Sequence, residues 1–133
     1  MLVRFAASVL FIGLLAVAAV AGSAAPAGKW LAEDIDGSGV IDRLQTTLEV
    51  SADGKVTGMG GCNRYAGSAK IDGDTIRFLP MGSTRMACSP AIMKQESKFH
   101  ATLEKVRAWR IERTKLVLLD AGQFVIMSFA KMD

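Results

Sequence analysis

Short runs of alternating apolar and polar residues, each closed by a turn, fill this 133-residue chain from Lys29 onward. Thr46, Leu48 and Val50 alternate with Gln45, Thr47 and Glu49, the period of a strand with one buried face. Asp53-Gly54 then marks a tight turn, since both residues tolerate positive φ, and Lys55-Val56-Thr57-Gly58 starts the return strand. Tyr65 to Ile71 and Thr75 to Leu79 form a second hairpin about Asp72-Gly73-Asp74, with Ile76 and Phe78 facing inward and Arg77 outward. Trp109 and Ile111 alternate with Arg110 and Glu112. Two further turns, at Thr114-Lys115 and Ala121-Gly122, lead into Leu116 to Asp120 and Gln123 to Ala130. Lys29 to Ile35 reads as the first strand, and Val40 to Val50 as extended throughout.

One helix interrupts this pattern. Ser89 suits an N-cap, and Pro90 suits the first helical position, where its missing N–H costs nothing. Ile92, Phe99, Leu103 and Val106 share a face at helical spacing, and Lys105 and Arg107 complement the negative end of the helix dipole. His100, the only histidine, sits beside this stripe as a surface or boundary residue. Several short strands with one helix predict a single antiparallel α+β domain.

The N-terminus has a different character. Arg4 is the only charged residue before Lys29, and Phe5 to Ala21 is apolar except for Ser8 and Gly13. A basic start, an apolar stretch and small residues at Ala19-Val20-Ala21 predict a signal peptide over 1–21. Cleavage is placed after Ala21, with Ala25 as a second site. A small-residue linker over 22–28 then leads into the domain over 29–133. No cysteine follows the small residues, so no lipid anchor is expected. The formal net charge is only +3. The basic residues between Lys105 and Lys115 interleave with Glu104 and Glu112, so they predict a solvated face rather than a nucleic-acid surface.

The two cysteines lie in distinctive motifs, Gly60-Gly61-Cys62-Asn63-Arg64-Tyr65 and Gly82-Ser83-Thr84-Arg85-Met86-Ala87-Cys88. An exported chain with two cysteines favours one disulfide, worth about 3 kcal/mol for a loop of this size. Other readings stay open at this level: a redox pair with Cys88 activated by the helix start, two ligands of a metal, or two unpaired structural thiols.

Asp34 to Gln45 tracks a calcium-binding loop, with Asp34, Asp36, Ser38 and Asp42 at ligand positions and Gly39 at the required glycine. Gln45 replaces the bidentate glutamate, and no helix precedes the loop, so a turn with solvated carboxylates is expected. No nucleophile–base motif, metalloprotease helix or phosphate loop is present. The chain is therefore expected to have no catalytic residues, metal or cofactor.

Taken in order, these motifs carry a family resemblance. They run from Trp30 and Thr46 to Val50 through Asp53-Gly54 to Gly61-Cys62-Asn63-Arg64-Tyr65-x-Gly67. Thr84-x-Met86-Ala87-Cys88, Leu103-Glu104-Lys105-Val106 and Leu116-x-Leu118-x-Asp120 follow. The chain resembles the META domain family, also called HslJ-like after a bacterial heat-shock protein. The resemblance implies a strongly curved, half-barrel-like antiparallel sheet around one main helix. It also implies a bacterial envelope location, with a link to stress or antibiotic tolerance in some members. It assigns Cys62 and Cys88 as a matched pair, with Gly61, Asn63, Thr84 and Met86 as structural motif residues.

The functional expectation is a non-enzymatic, monomeric domain, periplasmic or secreted, with a stress-related, binding or chaperone-like role. Its partner would be an envelope protein, a peptide or a lipid. Met59, Met81, Met86 and Met93 lie near the motifs and suit an adaptable apolar groove. The alternative is a secreted inhibitor or partner-binding module that uses the tethered loop 63–87, with Arg64, Tyr65 and Arg85 as exposed anchors.

Overall fold

The computed structural model describes residues 25–133, together with 2, 3, 6, 8–10, 12 and 13. Most of the expected signal segment, including the cleavage site after Ala21, lies outside the described residues. Among the described residues no helix is long and apolar enough to cross a membrane.

Nine strands and one helix follow one another: β1 (Gly28–Ile35), β2 (Thr47–Val50), β3 (Lys55–Met59), β4 (Arg64–Asp72), β5 (Thr75–Phe78), β6 (Gly82–Ser83), α1 (Pro90–Leu103), β7 (Ala108–Glu112), β8 (Lys115–Leu119) and β9 (Val125–Lys131). The sheet order is β3-β2-β1-β9-β8-β7-β5-β4-β6, with a further β3–β4 pairing. Eight strands therefore close into a ring, which is the strongly curved antiparallel sheet around one helix that the resemblance implies. All pairings are antiparallel.

The ring is not equally strong all round. β3 and β4 pair over five positions, whereas β5 meets β7 only at Thr75 and Ala108. Two flanking backbone bonds reinforce that joint, Ile76 N to Arg107 O at 3.1 Å and Trp109 N to Asp74 O at 3.0 Å. β5 and β6 are one strand interrupted at Pro80-Met81. Leu79 N still bonds Ser68 O at 2.9 Å, and pairing with β4 resumes at Gly82. Proline has no N–H to give a ladder, so the interruption falls where pairing is already lost.

Period-two alternation fills the interior. Trp30, Leu48, Val56, Ile76, Leu116, Leu118 and Phe129 come from strands, and α1 adds Phe99 and Leu103 to the same core. Burying each large side chain contributes about 1.5–3 kcal/mol, so the helix is tied to the ring chiefly through these two. Val106 is also buried, but it lies beyond the helix end. Arg107 likewise lies outside the last turn. Its Nη1 donates to the carbonyls of Glu104 and Val106 at 2.9 and 2.7 Å, serving the orphan carbonyl end from beyond it. Pro90 opens α1 as expected, while the Ser89 side chain makes no capping bond.

The extended reading of Val40 to Val50 holds only for Thr47–Val50. Residues 36–46 form turns, with Asp36 and Arg43 at positive φ. Asp34 holds the first turn locally, and a long-range bond holds the stretch after it: Ile41 N donates to Gln95 Oε1 of α1 at 2.8 Å.

Candidate functional site

The turn between β3 and β4 carries the first cysteine motif, and it folds around a carboxylate. Glu96, on the inner face of α1, is only 8 % exposed. Its Oε1 accepts the backbone N–H of Asn63 at 2.6 Å and of Cys62 at 3.0 Å. Its Oε2 accepts Asn63 Nδ2 at 2.9 Å. Burial pushes this carboxyl up, but the donations from Asn63 and Cys62, with His100 nearby, outweigh it and hold it below its ordinary value.

The two glycines ahead of Cys62 make this approach feasible. A Cβ on Gly60 would lie 2.8 Å from both Cγ and Oε1 of Glu96. Gly61 has φ 141°, a conformation that suits glycine.

Asn63 passes the hold on to the second motif. Its Oδ1 accepts Thr84 Oγ1 at 2.9 Å and Met86 N at 2.6 Å, and its Nδ2 also donates to Met86 O at 3.1 Å. A disulfide between Cys62 and Cys88, Cα atoms 6.0 Å apart, fixes the same segment two residues on. Thr84 to Cys88 is thus an exposed strap pinned at both ends, although it belongs to no regular element after β6.

A parallel arrangement anchors the preceding loop. Gln95 Nε2 donates to Thr46 Oγ1 at 3.0 Å, and Thr46 Oγ1 donates to Gly60 O at 2.8 Å. Neither Glu96 nor Gln95 stands out in the sequence, and Thr46 does so only as a strand and motif residue. Glu96 nevertheless shares helical spacing with Ile92, Phe99 and Leu103, and two adjacent glycines such as Gly60-Gly61 are a signal of close approach by another segment.

Of the expected partner-binding residues, Arg64 and Arg85 are exposed. Tyr65 is not: it is 3 % exposed, and its hydroxyl donates to Thr47 O at 2.6 Å. Strand alternation explains the correction, because Tyr65 has the inward parity of β4 while Arg64 points out. Burial pushes its phenol up. Its ring packs against Phe99 and His100, with centroids 5.5 and 5.1 Å away. His100 is half-buried, its Nε2 has no hydrogen-bond partner among the described residues, and desolvation lowers its pKa against the opposing pull of Glu96 and Glu104. Among the methionines, Met86 is 59 % exposed on the strap, and Met81 packs against the core.

Two depressions flank the strap. A groove of about 690 Å³ runs across β1, β2, β3, β4 and β6, with Met59, Ala66 and Arg64 along it and Thr84 at its end. A cleft of about 520 Å³ separates β5 and β6 from the C-terminal half of α1. The calcium-like loop is organised as a turn: Asp34 Oδ2 accepts Gly37 N and Oδ1 accepts Gly39 N. Among the described residues no three His, Cys, Asp or Glu side chains converge as a metal set.

A family model described as "META domain" matches residues 23–133. No curated protein matches the chain. Three solved structures share its fold. An NMR structure of a protein from Burkholderia xenovorans is 22% identical with TM-score 0.61, covering 79% of this chain and 81% of that one. A second NMR structure is 19% identical with TM-score 0.61, covering 78% and 88%. The crystal structure of a DUF4847 family protein from Bacteroides vulgatus is 19% identical with TM-score 0.56, covering 80% and 95%.

Proposed function

Because the chain belongs to the META domain family, we propose that it is a non-enzymatic, exported domain of the cell envelope whose work is binding, in a stress-related or chaperone-like setting. The observation that carries this reading is the strap. Asn63 and the disulfide hold Thr84 to Cys88 rigid beside an open groove, with Arg64, Arg85 and Met86 presented to solvent. Pre-ordered segments bind at lower entropic cost. Three buried polar side chains nearby are already committed, Glu96 to the Cys62-Asn63 turn, Gln95 to Ile41 and Thr46, and Tyr65 to Thr47.

The same strap also supports an inhibitor or partner-binding module working through loop 63–87, with Arg64 and Arg85 as its anchors. Pull-down of the exported protein from envelope extract, with mass spectrometry of captured proteins and lipids, tests both. Arg64→Ala with Arg85→Ala is expected to deplete a specific partner. Identical capture by the wild type and the double variant would remove the basis for both readings.

A further inference from the structure

The thin joint of the ring leaves a strand edge without a neighbour, and the 520 Å³ cleft lies along it. In β5, Leu79 N bonds Ser68 O and Ile76 N bonds Arg107 O, so odd residues turn toward β4 and even residues toward β7. Since β7 pairs only at Thr75, the N–H and C=O of Phe78 point into the cleft with no strand beside them. An unpaired edge can accept an added strand, and because Pro80 has no N–H, Phe78 is the residue of β5 that anchors it.

The two faces of the strand differ in chemistry. Lys70 and Arg77 are direct cross-strand partners on the outer face, both exposed and neither in an ion pair among the described residues. Like charges directly opposite one another repel, which an incoming acid would relieve. Toward the interior, Phe78, Met81 and Leu103 offer apolar surface. Glu104 and His100 stand on the helix wall of the cleft, so an acid is favoured only on the Lys70–Arg77 side.

Side chains of an added strand alternate between two faces. We propose that the β5–β6 edge binds an extended peptide segment of a partner protein, with acidic residues alternating with apolar ones. The acids face Lys70 and Arg77, and the apolar residues enter the cleft toward Leu103. This surface meets the groove at Ser83 but includes none of the strap residues Thr84 to Cys88.

The test uses a capped hexapeptide of alternating valine and glutamate, followed by amide chemical shifts of the protein on titration. Binding is expected to move the amides of Phe78 to Ser83. Replacing glutamate by lysine in the peptide, or Lys70→Glu with Arg77→Glu in the protein, is expected to weaken binding at least tenfold. A peptide N-methylated on its edge-facing amides is expected not to bind. Arg64→Ala with Arg85→Ala leaves the titration unchanged, which separates this site from the strap. No shift with the wild-type protein, or equal binding of the N-methylated peptide, would overturn the proposal. So would shifts at the same amides that follow protein concentration alone, because a second copy of the chain would then cover the edge.

Discussion

Glu96 accepts the backbone N–H of Asn63 at 2.6 Å across the interface between α1 and the β3–β4 turn. The bond joins residues far apart in sequence and ties α1 to the loop that bears the first cysteine. Glu96→Gln keeps the shape but places an NH₂ against donors. The amide keeps one oxygen, so one or two of the three N–H groups lose their acceptor, and the expected loss is about 1–3 kcal/mol, read from urea denaturation. An unchanged midpoint would show that the carboxylate adds nothing to the fold.

The same carboxylate predicts acid sensitivity. Its folded pKa lies below the ordinary value, so its contribution is complete above about pH 4.3 and is lost as the pH falls through the folded pKa. The His100 pKa is also lowered in the fold. Below about pH 6.5 the unfolded chain therefore binds the proton first, and stability drops as the pH falls. Melting temperatures between pH 7 and 3 are expected to decline in two stages. His100→Phe is expected to flatten the upper stage and Glu96→Gln the lower.

Gly60→Ala places a methyl group against Glu96. Overpacking of this kind costs about 1–3 kcal/mol. Combined with Glu96→Ala the penalty is expected to shrink, since the obstacle is gone. A double-mutant cycle that comes out additive would place the strain elsewhere.

Reduction of the disulfide is expected to lower stability by about 3 kcal/mol without releasing the whole strap, since Asn63 still holds Thr84 and Met86. Asn63→Ala in the reduced protein is expected to free it. Hydrogen exchange at Met86 N distinguishes the two states: slow in the reduced wild type, fast in the reduced variant.

Tyr65→Phe leaves Thr47 O without its buried donor and is expected to cost about 1–2 kcal/mol, with the ring packing on Phe99 and His100 retained. Equal thermal midpoints for the two proteins would mean that water replaces the phenol.

What could be read from sequence was local. The β4–β5 hairpin was legible because Gly73 provides a positive φ at the turn, 57°, and flanking residues alternate. The start of α1 was legible from Pro90. The turn after Asp34 was legible too, since Asp34 holds Gly37 and Gly39 locally, whereas the turn at Asp42-Arg43 was not, because Ile41 beside it is held by Gln95 from another part of the chain. Tyr65 was misplaced for the opposite reason: its motif drew attention, while strand parity, visible in the same residues, placed it inside. Glu96 had the spacing of a buried position, but its charge argued for solvent until Cys62 and Asn63 supplied its partners. Closure of the ring rests on β1 meeting β9 and β5 meeting β7, pairings that alternation alone does not choose.

The pairing of Trp30 with Lys131 has a consequence in time. β9 lies between β1 and β8, so the first strand made must wait for the last before it gains its second neighbour. Contacts this distant in sequence form late and slowly. A chain delivered N-terminus first stays open-ended until β9 arrives, so truncation within β9 is a defect of the whole circle rather than of one strand.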